Sequence, residues 1–183
     1  LTEAEKQFVY YPADWAHTLE TTSEEPAHYM MFKWYAPEMK TGAHLEYKSF
    51  QIFGSSNTKE VKEGFQPKLM FEGQTAYLRK FHCHTSTLTP GAGYEPHKDD
   101  YDVIMVVLEG EVETLGQRVG PYGAIFYAAG EPHGIRNPGD VVASYIVFEF
   151  HGYKIGIFKR LHRFLRKVKN PQRWKRKIKK ILK

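Results

Sequence analysis

The sequence predicts an all-β fold for residues 1 to about 153. Short apolar or alternating segments recur between Gly and Pro residues about every eight to twelve positions, the spacing of a β-sandwich or barrel. Aromatic residues make up 15% of the 183 residues, and such side chains commonly fill compact β-rich folds. A chain of this length is expected to bury one core in a single domain.

The individual strands are predicted from local patterns. The aromatic run from Tyr29 to Tyr35 is predicted to be a strand that packs in the core or at a dimer interface. Residues 76–89 alternate, so His82, His84 and Leu88 share one face until Pro90 ends the strand. Further strands are predicted at 47–53, 103–108, 111–115, 124–127 and 141–150.

The last thirty residues have a different pattern. Of the 26 Lys and Arg residues, fourteen lie in residues 154–183, which contain no Asp or Glu, and twelve remain beside 21 acidic residues in the body. Apolar residues recur at helical spacing from about Ile155, and Asn170-Pro171 is a typical start for a second short helix. This segment is therefore predicted to be a basic amphipathic helical extension.

Three partners are considered for this basic extension. An amphipathic helix rich in Lys and Arg is typical of an anionic membrane surface, which we favour. Docking on the acidic body or on a partner subunit is the second reading. Nucleic acid is the least favoured, because the apolar stripe resembles neither a recognition helix nor a stacking groove.

Cysteine content and hydropathy suggest a cellular location. Cys83 is the only cysteine, so no intrachain disulfide can form, and a reducing cytoplasm is expected. We find no run of eighteen apolar residues and no signal-peptide pattern. The expected location is therefore the cytoplasm, with peripheral attachment to a membrane through the extension.

His97, Asp99 and His133 are the candidate metal ligands. Two imidazoles and one carboxylate form the ligand set of an open, catalytic type of divalent metal site. Residues i and i+2 of a strand point the same way, so His97 and Asp99 can face one interior, and a third ligand would come from another strand.

The segments that carry these ligands resemble the two motifs of the cupin family, G-x5-H-x-H-x3/4-E-x6-G and G-x5-P-x-G-x2-H-x3-N. Six positions match at the family spacing: Gly91, His97, Gly110, Gly130, His133 and Asn137. Four positions depart from it: Asp99 replaces the second histidine, Val103 the glutamate, Ala128 the proline and Tyr122 the first glycine of the second motif. Gly123 lies one residue after that glycine position.

The resemblance implies a double-stranded β-helix barrel in which the two motifs form adjacent antiparallel strands. It divides the chain into N-terminal strands at 1–74, a cupin core at 75–153 and the basic extension at 154–183. It also implies a homodimer and a divalent ion such as iron, manganese, nickel or zinc. Asp102 is a candidate fourth ligand in place of the missing glutamate. The alternative is a barrel without metal, in which His97 and His133 are hydrogen-bonded polar groups of a pocket.

The function implied is that of a metal-dependent enzyme acting on a small polar molecule. Sugars, nucleotide sugars and organic acids are the expected substrates, which suggests carbohydrate metabolism, and the expected reactions are isomerisation, epimerisation or oxygenation. His82, His84 and Tyr101 are the candidate proton carriers. The alternative is a non-catalytic ligand-binding module tethered by its extension. A 2-oxoglutarate oxygenase is less favoured, because Arg136 is predicted to point away from His133.

Overall fold

The computed structural model describes residues 7–22, 24–36, 44–52 and 64–153. These residues form eleven strands and no helix: β1 (Gln7–Tyr10), β2 (Lys48–Gln51), β3 (Phe65–Gly73), β4 (Lys80–Leu88), β5 (Gly93–His97), β6 (Asp102–Glu109), β7 (Val112–Thr114), β8 (Gln117–Val119), β9 (Ala124–Tyr127), β10 (His133–Arg136) and β11 (Ala143–His151). The all-β prediction is confirmed for this part of the chain, which has no helix that could cross a membrane. The predicted basic helix at 154–183 lies outside the described residues.

Three antiparallel sheets build the fold. A five-stranded sheet has the order β3-β4-β11-β6-β9, a four-stranded sheet has the order β5-β10-β7-β8, and β1 pairs with β2. Strand β11 lies at the centre of the five-stranded sheet, where it pairs with β4 on one side and β6 on the other. Its nearly continuous burial reflects apolar contacts on both faces of that sheet.

The main core lies between the five-stranded and four-stranded sheets and draws side chains from both. Alternation in β4 and β6 sends every second side chain into it. Its buried members are Leu88, Val103, Met105, Val107, Val112, Ile125, Tyr127, Ile135, Ala143, Tyr145 and Val147. Two facing sheets with a shared interior make a β-barrel, the architecture that the sequence predicts.

A second core covers the outer face of the five-stranded sheet. Its buried members include Phe71, Phe81, Cys83 and Phe148, on which side chains of the N-terminal sheet pack. The ring of Phe8 in β1, for example, lies 5.1 Å from the ring of Phe148. Strands before residue 75 therefore pack on the outer face of the five-stranded sheet.

The predicted strand from Tyr29 to Tyr35 is wrong. These residues form no strand, and most of their large side chains are exposed, with Tyr35 at 83%. Two rings attach the segment to β11: Phe32 lies 5.7 Å from Phe148, and Trp34 stacks 4.5 Å from Phe150. The aromatic residues of this segment thus pack their rings on the five-stranded sheet and do not form a strand of it.

The other predicted strands are confirmed by β2, β4, β6, β7, β9 and β11, although their ends differ by a few residues. Strand β3 was not predicted, and it contains Pro67, which cannot donate to a ladder. Because β3 pairs only with β4 among the described residues and lies at the edge of the sheet, the missing N–H is tolerated.

Several positions of the two motifs have the positive φ values that tight turns require. Gly91, Gly110 and Gly130 have φ values of 75°, 66° and 88°, in the left-handed region that favours glycine. Tyr122, which stands in place of a motif glycine, has φ 65°. The turn therefore keeps the conformation that a glycine would adopt, although a tyrosine occupies it.

Candidate metal centre

The structure brings His97, Asp99 and His133 together. His97 is the last residue of β5 and His133 the first of β10, and the two residues are direct partners in the antiparallel pair. Asp99 follows in the loop after β5, and its carbonyl accepts a hydrogen bond of 2.8 Å from the N–H of Gly130. The predicted pairing of the two motifs is therefore seen, but Asp99 is placed by a loop and not by strand alternation.

The separations of the donor atoms suit a single divalent ion. Asp99 Oδ2 lies 3.4 Å from His133 Nε2 and 3.6 Å from His97 Nε2. Ligand atoms about 2.1 Å from a tetrahedral ion lie about 3.4 Å apart. The side chain of His133 is 4% exposed, whereas that of His97 is 48% exposed, so the group extends from the core to the cavity mouth.

His133 is held in the orientation that a metal ligand needs. Its Nδ1 lies 3.1 Å from the carbonyl of Glu131. Since a carbonyl only accepts, Nδ1 carries the proton, and the lone pair of Nε2 faces Asp99. The ring also stacks on Tyr127, with centroids 4.1 Å apart.

Tyr127 is itself fixed by a hydrogen-bonded chain. The hydroxyl of Thr114 donates to the carbonyl of Gly134 over 2.7 Å. The oxygen of the Thr114 hydroxyl lies 2.7 Å from the hydroxyl of Tyr127. Because the Thr114 hydroxyl has already donated its one proton, Tyr127 is the donor in this second bond. This chain joins β7, β9 and β10 behind His133 and limits the movement of its imidazole.

The three residues line a cavity of about 420 Å³ inside the barrel. Apolar and aromatic side chains form most of its wall, and the charged or titratable groups point into it from several strands. The lining residues that bear such groups are His84, Tyr94, Glu95, His97, Asp99, Tyr101, Tyr127, His133, Tyr145 and Glu149.

Tyr101 lies beside the metal group. It lines the cavity, and its ring centroid is 3.8 Å from that of His151. Burial raises the pKa of the Tyr101 phenol, and the nearby carboxylates of Glu149 and Asp99 add to that effect. The phenol is therefore protonated at neutral pH and can donate to an acceptor in the cavity.

His82 and His84 belong to a second cluster. His84 lines the cavity, whereas His82 is not among the lining residues. The Nε2 atom of His82 lies 3.2 Å from the Nδ1 atom of His84. The Nδ1 atom of His82 lies 2.9 Å from Glu72 Oε2. Glu149 Oε1 lies 3.9 Å from His84 Nδ1, and Glu149 Oε2 lies 2.7 Å from His151 Nε2.

Asp102 does not join either cluster. Its Oδ1 accepts a hydrogen bond of 2.8 Å from the N–H of Ala129, and it is not among the cavity-lining residues. The next residue, Val103, points into the main core and the cavity. Strand alternation therefore directs Asp102 away, so the structure gives it the role of a loop anchor and not the predicted fourth ligand.

Arg136 points outward, as predicted. Its guanidinium donates to Glu113 Oε1 over 2.9 Å at the exposed surface. Sequence reasoning missed Glu72, Glu149 and His151. Glu149 offered one signal, because a lone carboxylate inside the apolar run of β11 would normally need a specific partner.

The fold and the site together define a class of protein, a β-barrel with candidate metal ligands in its cavity. No family model matches the chain, and no curated protein matches its sequence. Solved structures of cupins do match. The Cupin_2 domain of an XRE-family transcriptional regulator from Enterobacter cloacae is 22% identical, with a TM-score of 0.42, over 50% of this chain and 100% of that chain.

Two further structures show the same likeness. An RmlC-like cupin from Desulfovibrio desulfuricans is 19% identical, with a TM-score of 0.42, over 54% of this chain and 96% of that chain. A sugar phosphate isomerase of the cupin superfamily from Silicibacter pomeroyi is 23% identical, with a TM-score of 0.36, over 39% of this chain and 50% of that chain. The chain thus resembles cupins, as its motifs predict, and the likeness by itself identifies neither a ligand nor a reaction.

Proposed function

We propose that this chain is a metal-dependent enzyme of the cupin type that isomerises, epimerises or oxygenates a small polar molecule. The observation that carries the proposal is the convergence of His97, Asp99 and His133 on one cavity, with donor atoms 3.4 and 3.6 Å apart. Three protein ligands leave coordination positions for a substrate or water, which is the arrangement of catalytic sites.

The residues present fit a divalent ion such as iron, manganese, nickel or zinc. Such an ion, when bound, polarises a carbonyl or hydroxyl oxygen of the substrate. The hydrogen bond from His133 Nδ1 to Glu131 and the stacked ring of Tyr127 hold the imidazole in place. The carboxylate of Asp99 supplies the negative charge that favours a cation in this partly buried position.

Tyr101 is the proton carrier that this proposal favours. Of the three predicted carriers, Tyr101 is the one that lines the cavity beside Asp99, whose negative charge contributes to the raised pKa of its phenol. Its phenol can donate a proton to a substrate oxygen and recover it from water in the cavity. His82 and His84 lie in the second cluster, on β4.

The charges of the cavity favour a neutral substrate. Among the described residues that line it, three are carboxylates, Glu95, Asp99 and Glu149, and none is Lys or Arg. A nucleotide sugar or an organic acid would therefore meet repulsion that only a bound cation could offset. A neutral sugar avoids this repulsion, and its hydroxyls can bond to the carboxylates and to the tyrosines of the wall.

Solvent deuterium exchange tests this function without a known substrate. The protein loaded with each candidate metal is incubated in deuterium oxide with a panel of aldoses, ketoses, nucleotide sugars and organic acids. Isomerisation or epimerisation next to a carbonyl replaces a carbon-bound proton with deuterium, which proton NMR detects, and oxygen uptake reports oxygenation. We expect turnover with at least one compound, its loss in His97→Ala and His133→Ala, and its retention in His28→Ala, which removes an exposed histidine.

The result that would overturn the enzyme proposal is metal binding without exchange or oxygen uptake for any compound. Ligand binding without turnover would instead support the alternative, a non-catalytic cupin module that is tethered by its extension. Attachment of residues 154–183 to an anionic membrane surface, the homodimer and the cytoplasmic location stay predictions. Sedimentation with phosphatidylserine vesicles, with and without those residues, tests the first of them.

A further inference from the structure

A second group of metal-binding side chains lies on the five-stranded sheet. The ligand atoms of His82, His84 and Glu149 all lie within 4.8 Å of one another. His82 and His84 are two residues apart on β4 and share its inner face, while Glu149 is the direct partner of His82 on β11. Antiparallel pairing thus places two imidazoles and one carboxylate together, the ligand set already seen at His97, Asp99 and His133.

The separations of the donor atoms suit an ion. His82 Nε2 lies 3.2 Å from His84 Nδ1, close to the value of about 3.4 Å for two ligands of a tetrahedral ion. The distance of 3.9 Å from His84 Nδ1 to Glu149 Oε1 is wider, and a small rotation of the glutamate side chain closes it.

Hydrogen bonds outside the group orient two of the three ligands. His82 Nδ1 lies 2.9 Å from Glu72 Oε2, and a carboxylate accepts, so Nδ1 carries the proton and the lone pair of Nε2 faces His84. His151 Nε2 donates to Glu149 Oε2 over 2.7 Å, which leaves Oε1 for a cation. Bonds of this kind from a carboxylate and a histidine commonly orient metal ligands.

The surroundings also favour a cation. Glu149 and Glu72 supply two carboxylates, and Lys80 Nζ lies 3.6 Å from Glu72 Oε2. His84 and Glu149 line the cavity, so a ligand of the cavity can reach an ion that they hold.

We propose that His82, His84 and Glu149 form a second divalent metal site, separate from the group of His97, Asp99 and His133 and open to the same cavity. The site binds zinc or a similar ion through two imidazole nitrogens and one carboxylate oxygen. His82 and His84 are then ligands and not proton carriers, which leaves Tyr101 as the proton carrier of the cavity.

Zinc binding by the full-length chain tests this assignment. The protein is stripped with a chelator and titrated with zinc in a calorimeter, and bound zinc is measured by elemental analysis. We expect two equivalents for the wild type and for His28→Ala, and one equivalent for the double variant His97→Ala/His133→Ala. Adding Glu149→Gln, which keeps the side-chain shape, to that double variant is expected to remove the remaining zinc. Glu72→Gln is expected to weaken this site at least about tenfold while its stoichiometry is kept.

The outcomes separate the two sites. A double variant His97→Ala/His133→Ala that stays folded by circular dichroism and binds no zinc would overturn the second site and leave the first intact. A wild type that binds only one equivalent, which survives in that double variant and disappears in Glu149→Gln, would support the second site and remove the ligand set of the proposed function. His84→Ala serves as an independent variant, and its unchanged stoichiometry would also overturn the assignment.

Discussion

Replacing Asn137 with alanine is expected to destabilise the barrel by about 3 kcal/mol. Asn137 is 1% exposed, and its side-chain amide makes three hydrogen bonds. Nδ2 donates to the carbonyls of Leu88 and Val141 over 2.9 and 2.7 Å, and Oδ1 accepts from the N–H of Gly139 over 2.9 Å. The bonds join the end of β4 to the loop between β10 and β11. Each contributes about 1 kcal/mol, and the backbone groups left without a partner add a desolvation cost.

Urea denaturation followed by circular dichroism measures this change. The free energy of unfolding should fall by about 2 to 5 kcal/mol while the m-value stays the same. Gln117→Ala is the control, because it removes an exposed amide of β8 and should change the stability by less than about 0.5 kcal/mol. A loss below about 1 kcal/mol for Asn137→Ala would refute the view that this amide holds the two segments together.

Two further predictions concern single residues. Tyr122→Gly is expected to stabilise the protein by up to about 1 kcal/mol in the same urea assay. The left-handed backbone conformation of Tyr122 costs a residue with a side chain about 1–2 kcal/mol, which glycine avoids. Glycine loses about 0.5–1 kcal/mol more chain entropy on folding, which offsets part of that gain. Tyr122→Ala should give no such gain, and a loss of stability in Tyr122→Gly would mean that contacts of the half-exposed ring dominate. Cys83 is fully buried and burial raises the pKa of its thiol, so Ellman's reagent should react with it only in denaturant, and rapid labelling of the native protein would contradict this.

Strand prediction succeeded where side chains alternate between two different faces of a strand. The alternation around His84 and Leu88 indicated β4 correctly, because the inner face lies against the main core and the outer face against the second core. It failed for the run from Tyr29 to Tyr35, since aromatic side chains suit both a strand and a loop that packs its rings on a sheet. Local composition does not distinguish the two cases, because backbone pairing depends on partners far along the chain.

The candidate site was predicted in part for a similar reason. The motif spacing identified His97, Asp99 and His133, and the structure places all three in one group. Asp102 is predicted to be a fourth ligand in place of the missing glutamate, but β6 begins at Asp102 and Val103 points inward instead. Since side chains alternate with a period of two, the position at which a strand begins decides which neighbour faces the cavity.

The sequence by itself determined the all-β class, the turn positions of the motifs and the types of donor atom available for a metal, because these depend on local periodicity, backbone conformation and side-chain chemistry. Only the tertiary structure decided which donors meet. Glu149 reaches His82 and His84 through the register of β4 with β11, and Glu72 reaches His82 through the register of β3 with β4. Register between strands is set by burial across the whole sheet, so no local pattern in the chain contains it.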